Sequence, residues 1–303
     1  MTNAFSVVTS CTQRKSGPVL MASDRLLDGG SVADLGRQWR ALISADCIRY
    51  PVHALYKGRS VLDAASVASH LCGKWYVVSA GVGLVSSERS VPAYECTVAE
   101  GSPLASQLTR LKATARDWWN EITVDESRPL ARLIAANPTL LALPSSYLEM
   151  VYDDLDSISV ESAEGLRIFT SKVGVQKLPS HIVQCAMPYD DRLESLAGYA
   201  GTRSDFAQRA MLHFVRSLGG EKLSMNEARE SVSSALDCLP WPVRSRGVRK
   251  TDDEIKAVLK EQWANYSGRS TLLLRYLRDD AKISCEQRRF SRIWQSLVKE
   301  LHE

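Results

Sequence analysis

Three short runs of apolar, largely β-branched residues stand out along the chain: FSVVTS (Phe5 to Ser10), WYVVSA (Trp75 to Ala80) and TLLALP (Thr139 to Pro144). Each is bounded by polar or turn-forming residues, the pattern of a strand buried on both faces. Between them the apolar positions recur at helical spacing, from about Ser31 to Arg49, Ser60 to Leu71 and Pro103 to Glu121. Strands alternating with helices predict an α/β fold, a mostly parallel sheet with covering helices. Two further short strands are expected at Leu166 to Ser171 (LRIFTS) and His181 to Met187 (HIVQCAM). From about Arg203 the pattern is helical only. The expected division is an α/β domain over 1–200, a helical connection over 201–240 and a basic helical domain over 241–303.

The strand ends carry the candidate chemistry. The first run closes on Thr9-Ser10-Cys11 and then a polar stretch with Arg14 and Lys15. The second closes on Ser79-Ala80-Gly81-Val82-Gly83, and the third on Pro144-Ser145-Ser146-Tyr147. Open α/β sheets bind ligands beyond the carboxyl ends of their strands, where small residues let backbone N–H groups approach. The same Ser and Thr residues also suit plain helix caps. Gly81 and Gly83 do not complete a dinucleotide loop, because position 86 is serine, and no phosphate-binding P-loop is present. Downstream, Pro92, Tyr94 and Glu95 put an aromatic ring and a carboxylate close after a strand-end loop. Such a pair can stack on a planar ligand and steady a developing cation or activate water.

A second polar-aromatic segment runs from Met187 to Phe214. Asp190, Asp191 and Arg192 follow the expected strand HIVQCAM, and adjacent carboxylates on an extended chain point to opposite sides, so one of the two would face a pocket. Thr202 or Ser204 can cap the next helix, and Asp205 and Arg209 form an i,i+4 pair. His213 borders the apolar face of Phe206, Ala210 and Phe214 and reads as a packed histidine.

From Trp241 onward 14 Lys or Arg stand against 9 Asp or Glu, so the excess cation of a chain whose net charge is +3 lies in its last fifth. Three helices are expected there. Leu273, Tyr276 and Leu277 share one face, which places Arg269, Arg275 and Arg278 outside or at its border. WPVRSRGVRK, with Arg246, Arg249 and Lys250, is an arm with four cations and no acids. The arrangement suits a helix-turn-helix or winged-helix-like reader of nucleic acid, the alternative being a helical cap with soluble faces. Seven scattered cysteines without a CxxC pair argue against a disulfide framework and a Cys-rich zinc site. No apolar run reaches the roughly 20 residues of a membrane span, and no secretory signal is seen. A cytoplasmic protein without metal or cofactor is expected.

SCTQRK followed by SAGVGLVSSERSVPAYECTV resembles the superfamily of the YaaA-like peroxide-stress proteins and the catalytic domain of archaeosine synthase, which works on a deazaguanine base in tRNA. Its Ser-Cys-Ser/Thr-x-x-Lys element falls on Ser10, Cys11, Thr12 and Lys15. Its Ser-Ala-x-x-Gly-Leu element falls on Ser79, Ala80, Gly83 and Leu84, and its Pro-x-Tyr with an acid on Pro92, Tyr94 and Glu95. The match covers the first 100 or so residues. It departs at Gly81-Val82, where many relatives carry Lys or Arg then Tyr or His. The resemblance implies a nucleic acid or nucleobase ligand and makes 1–200 a base-binding catalytic domain.

The expectation is therefore a DNA glycosylase, an enzyme acting on an extruded and modified base in double-stranded DNA, with a role in phage defence. Glu95 or Asp191 would be the catalytic carboxylate. Ser10, Cys11, Lys15, Ser79, Gly81, Tyr94, Ser145, Ser146 and Tyr147 would hold the nucleotide, with Tyr94 and Tyr147 stacking. Arg14, Arg192, Arg203, Arg246, Arg249, Lys250, Arg269, Arg275 and Arg278 would hold phosphates. No obligate protein partner is expected. The alternatives are a base-modifying transferase on tRNA or DNA, with Lys15 or another group as nucleophile, and a non-catalytic DNA-binding protein.

Overall fold

The structure is a computed structural model that describes residues 4–18, 21–22, 29–45, 47–99, 101–242 and 247–302. The chain forms two compact units, Met1–Trp241 and Pro242–Glu303.

The first unit is built on a five-stranded sheet: β1 (Ser6–Ser10), β2 (Lys74–Ser79), β3 (Gly83–Ser86), β4 (Thr139–Ala142) and β5 (Leu166–Phe169), in the order β3-β2-β1-β4-β5. All neighbours are parallel except β2 and β3, a hairpin that turns through Gly83 at positive φ. Every residue of β1, β4 and β5 is buried, which explains the valines of β1 and the leucines of β4; β5 carries a buried arginine, Arg167, whose guanidinium donates to the carbonyls of Glu164, Leu166 and Leu223. The chain leaves β1 for β2 on one side and leaves β4 for β5 on the other. The connections therefore diverge between β1 and β4, the topological switch point of the sheet.

Helices α1 (Val32–Ser44) and α2 (Arg59–His70) fall where the spacing placed them. The third expected helix is two, α3 (Pro103–Arg110) and α4 (Ala115–Ile122). Lys112 takes a positive φ between them, and Thr114 and Asp117 form a capping box that starts the second. A helix the pattern did not suggest, α5 (Pro129–Ala136), precedes β4, and α6 (Ser145–Met150) follows it. Expected strand HIVQCAM is instead a 3-10 helix, Ser180–Cys185. Ile182 and Cys185 are its buried pair, three residues apart, while Gln184 is exposed, so the burial period is three rather than two. Of the expected strand, Ala186 alone bridges to the sheet, at Ile168.

The segment 201–240 is not a connection. Helix α7 (Phe206–Arg216) packs on α2, β4 and β5 with nine buried residues, and α8 (Met225–Asp237) follows. The Thr202–Asp205 capping box and the Asp205–Arg209 pair form as expected. His213 is packed, bonded through Nδ1 to the Tyr189 hydroxyl at 2.8 Å.

The second unit has helices α9 (Asp252–Gln262), α10 (Ser270–Asp279) and α11 (Gln287–His302). A two-residue parallel ladder joins β6 (Val248–Arg249) to β7 (Ile283–Ser284). Leu273 and Leu277 are fully buried with Ile255, Leu259 and Leu297, and Trp263 stacks on Trp294. No helix of the described residues is long and apolar enough to cross a membrane.

Candidate functional site

The polar run after β1 is a loop stitched to the residues preceding α2. Cys11 N–H still donates to Val78 O at 2.9 Å, keeping the sheet register. Beyond it, Thr12 Oγ1 donates to Lys57 O (2.9 Å), Lys57 N–H to Arg14 O (2.9 Å) and Ser16 N–H to Leu55 O (2.8 Å). Lys15 is thereby curled inward. Its Nζ donates to Thr12 O at 2.8 Å and lies 4.7 Å from the centre of the Tyr94 ring and 5.5 Å from that of Tyr56. Both rings present their negative faces to the cation.

Beneath the lysine is a buried floor of hydroxyls. Tyr94 OH meets both Tyr56 OH and Ser79 Oγ, and Ser79 Oγ accepts from Gly81 N–H at 3.0 Å. The carbonyls of the loop after β2 are taken by indoles, Gly81 O by Trp39 Nε1 (2.6 Å) and Ala80 O by Trp118 Nε1 (2.7 Å). Burial, followed by the neighbouring tyrosine and Cys11, pushes the Tyr94 phenol well above its ordinary range, and Tyr56 is pushed up the same way, chiefly by burial. Both phenols stay neutral and remain hydrogen-bonding groups. A Cβ on Gly81 would sit 2.4 Å from Tyr94 Cε2, so only glycine lets this ring close onto the strand end.

The far wall comes from the other side of the switch point. Tyr147, in the first turns of α6, places its hydroxyl 3.0 Å from Cys11 Sγ. The loops that follow β1 and β4 therefore meet through this contact. Burial and the Cys11 sulfur raise the Tyr147 phenol. Ser145 is half-buried and Ser146 exposed on the same turn. Gln208, fully buried on α7, donates to Thr9 Oγ1 (2.8 Å) and Ala142 O (3.0 Å), tying the same two strand ends from behind.

Lys15 is the electrostatically altered group of the cluster. Burial lowers its pKa from the usual lysine range, while Cys11, Cys96 and Glu95 pull it back up. No carboxylate stands within ion-pair distance of its Nζ among the described residues. Glu95 is exposed, and its segment is tied in by the ladder of Tyr94–Glu95 with Met21–Ala22, just beyond the lysine loop.

The expected residues thus divide. Cys11, Lys15, Ser79, Gly81, Tyr94 and Tyr147 are joined by direct contacts, Ser10 is buried beside Cys11, and Glu95 acts on Lys15 through its charge. Tyr94 does not offer a face for stacking: it is fully buried under Lys15 and against the edge of Trp39. Ser79 and Gly81 likewise belong to the floor. The premise for Asp191, a strand end, falls with the missing strand. The buried member of the aspartate pair is Asp190, which caps the following 3-10 helix and is gripped by Arg192 at 3.0 Å. Arg192 also pairs with Asp237 and packs over Trp241, so its expected phosphate role is occupied by internal partners.

Arg14 and Arg203 are exposed. In the second unit Arg249, Arg269, Arg275 and Arg278 are exposed as expected, Arg275 paired with Asp279 and Arg278 donating to Cys285 O. Lys250 is half-buried and pairs with Glu254, and Arg246 lies outside the described residues.

Sequence reasoning missed Tyr56, Cys96 and Gln208. Tyr56 sits in the unremarked stretch HALYKG, and Gln208 sits on an otherwise apolar helix face, a mid-face amide being the one signal available. No group of three or more His, Cys, Asp or Glu placed to hold a metal occurs among the described residues. Two open grooves lie on the first unit, one of about 670 Å³ that shares Tyr56 with the cluster and one of about 410 Å³ past Val82 and Pro92 with Arg40, Arg49 and Arg89; neither is lined by Cys11, Lys15, Ser145 or Tyr147. No protein-family model, curated protein or solved structure matches the chain.

Proposed function

We propose that the protein is a DNA-acting enzyme that receives an extruded, modified nucleobase and cleaves its N-glycosidic bond, in defence against phage DNA. The observation that supports this reading best is the meeting of Cys11 and Tyr147 at the switch point of the sheet, where open α/β folds bind their ligands, with Lys15 curled over Tyr94 near enough for the Cys11 sulfur to act on its charge. Extrusion is the route by which enzymes reach a base held in a duplex. Cys11, the Tyr147 hydroxyl and Ser145 form the half-exposed rim that would grip the base or its substituent. The neutral hydroxyl floor fixes that rim and keeps Lys15 in place. Of the two carboxylates, Glu95 is the one whose charge reaches Lys15, and it is exposed to a substrate. In this reading Glu95 steadies the oxocarbenium-like sugar and orients water, while Arg14 and the exposed arginines of the second unit hold phosphates.

The test is a panel of duplexes, each with one modified purine or pyrimidine, incubated with the protein and then treated with alkali. Strand breaks at the modified position are expected. Glu95→Gln should lower them by about a hundredfold or more, and Asp191→Asn should leave them in place. Binding without breaks on any duplex would make the protein a non-catalytic binder. A mass gain on tRNA, with tRNA outcompeting duplex, would make it a transferase.

A further inference from the structure

We propose that Lys15 forms an imine with the aldehyde of an abasic deoxyribose, giving the protein a second activity: strand cleavage at abasic sites. This rests on the glycosidic reading for its substrate class. The geometry sets Lys15 apart from a phosphate-holding lysine. A phosphate clamp extends its ammonium into solvent, whereas Lys15 is curled back, donates to the carbonyl of Thr12 at 2.8 Å and has two aromatic faces, Tyr94 and Tyr56, beside it. A purely structural inward lysine is expected to carry a carboxylate partner. Lys15 has none within ion-pair distance among the described residues. Burial then favours the neutral amine, which is the nucleophilic form. The side chain is half-exposed and close enough to Cys11 for the sulfur to act on its charge, and Lys15 lies in the loop that leaves the carboxyl end of β1, where open α/β sheets take their ligands.

The chemistry balances without any oxidant or reductant. The ring-opened sugar presents an aldehyde at C1′. The Lys15 amine adds to it, and the carbinolamine loses water to give an imine. A base, for which the exposed Glu95 carboxylate is the candidate, takes a proton from C2′. The electron pair forms the C2′–C3′ double bond as the C3′–O bond breaks and the 3′ phosphate leaves. Water hydrolyses the imine, releasing the unsaturated aldehyde and restoring the amine.

The experiment uses the full chain and a duplex with one preformed abasic site, with sodium borohydride added to reduce any imine. A covalent protein–DNA complex is expected, and mass mapping of its peptides should place the adduct on Lys15. Lys15→Arg should reduce trapping at least tenfold while retaining binding to the abasic duplex, and Lys222→Ala, an exposed lysine elsewhere, should not change it. Trapping by the unmodified protein should rise with pH to a midpoint below 10.5, the ordinary lysine value. An adduct mapped to other lysines, or none, overturns the proposal, and because the mapping uses the unmodified protein its outcome does not depend on a variant folding. Base release from a modified duplex without an adduct would refute the lysine chemistry alone. An adduct on Lys15 without base release from any duplex would support it and refute the glycosidic step alone.

Discussion

Arg209 and Arg275 look alike in the sequence: each lies on a helix with an aspartate four residues away, Asp205 and Asp279. The fold makes them opposites. Arg209, in the first unit, has no exposed side-chain surface and is held by Asp205 and Glu194, each at 2.7 Å, and by the carbonyls of Tyr199 and Thr202. Arg275, in the second, keeps 79% of its side chain exposed and meets Asp279 at 3.5 Å. A buried cation is tolerable only because its donors are answered, and losing it leaves buried Asp205 and partly buried Glu194 without their cation. An exposed pair is screened by water and contributes little. The same contrast separates the two candidate functions of cations in this protein. Lys15 is partly withdrawn from water, which under the proposal makes it a reagent; the exposed arginines of the second unit, Arg249, Arg269, Arg275 and Arg278, would offer charge to a polyanion.

The largest test of that contrast is a paired substitution. Arg209→Met should destabilise the first unit by about 3–5 kcal/mol, read by denaturant unfolding, while Arg275→Met should stay within about 0.5 kcal/mol. Equal losses would mean that burial does not divide the two cations. A smaller effect concerns pH. Burial lowers the pKa of His213 below its ordinary 6.5, so the unfolded chain takes up a proton that the folded chain refuses. The stability this contributes is present above pH 6.5 and is lost as pH falls from there through the folded value. Melting curves between pH 7.5 and 5 should show that decline, and His213→Gln should flatten it. A decline that persists unchanged in His213→Gln would assign it to other groups. The smallest effect belongs to the basic arm. Neutralising Arg246, Arg249 and Lys250 together should reduce the salt dependence of duplex binding, the log–log slope falling by about 0.9 for each phosphate no longer neutralised. A slope that does not move would leave the arm as a solvated surface.

Legibility followed burial. The strands at Phe5, Trp75, Thr139 and Leu166 were readable because strands covered on both faces are predominantly apolar, even with Arg167 inside the last of them. The inward face of α10 was readable because Leu273 and Leu277 repeat at helical spacing. HIVQCAM misled because Ile182 and Cys185, three residues apart, fit a 3-10 turn as well as a short apolar strand, and only the neighbours of β5 decide between them. The pattern of helix α7 shows amphipathicity but not what it covers, so the sequence does not distinguish a connection from a helix packed on α2, β4 and β5. In the site, the strand-end residues were visible by type. Tyr56 and Gln208 were not, since nothing nearby in sequence marks a residue whose partners lie 38 and 199 positions away.

The sequence by itself determined the parallel α/β core, the hydroxyl, thiol and lysine composition of the strand ends, and the concentration of excess cation in the second unit. These are consequences of residue type and local period. Only the tertiary structure decided which of those polar groups are already engaged and which are available. Tyr94 and Ser79 lock each other in the floor, Asp190 is paired with Arg192, and Lys15 is drawn inward over two rings with no carboxylate at ion-pair distance among the described residues. Burial and partnership are set by what the rest of the chain brings alongside, and no stretch of sequence carries that information alone.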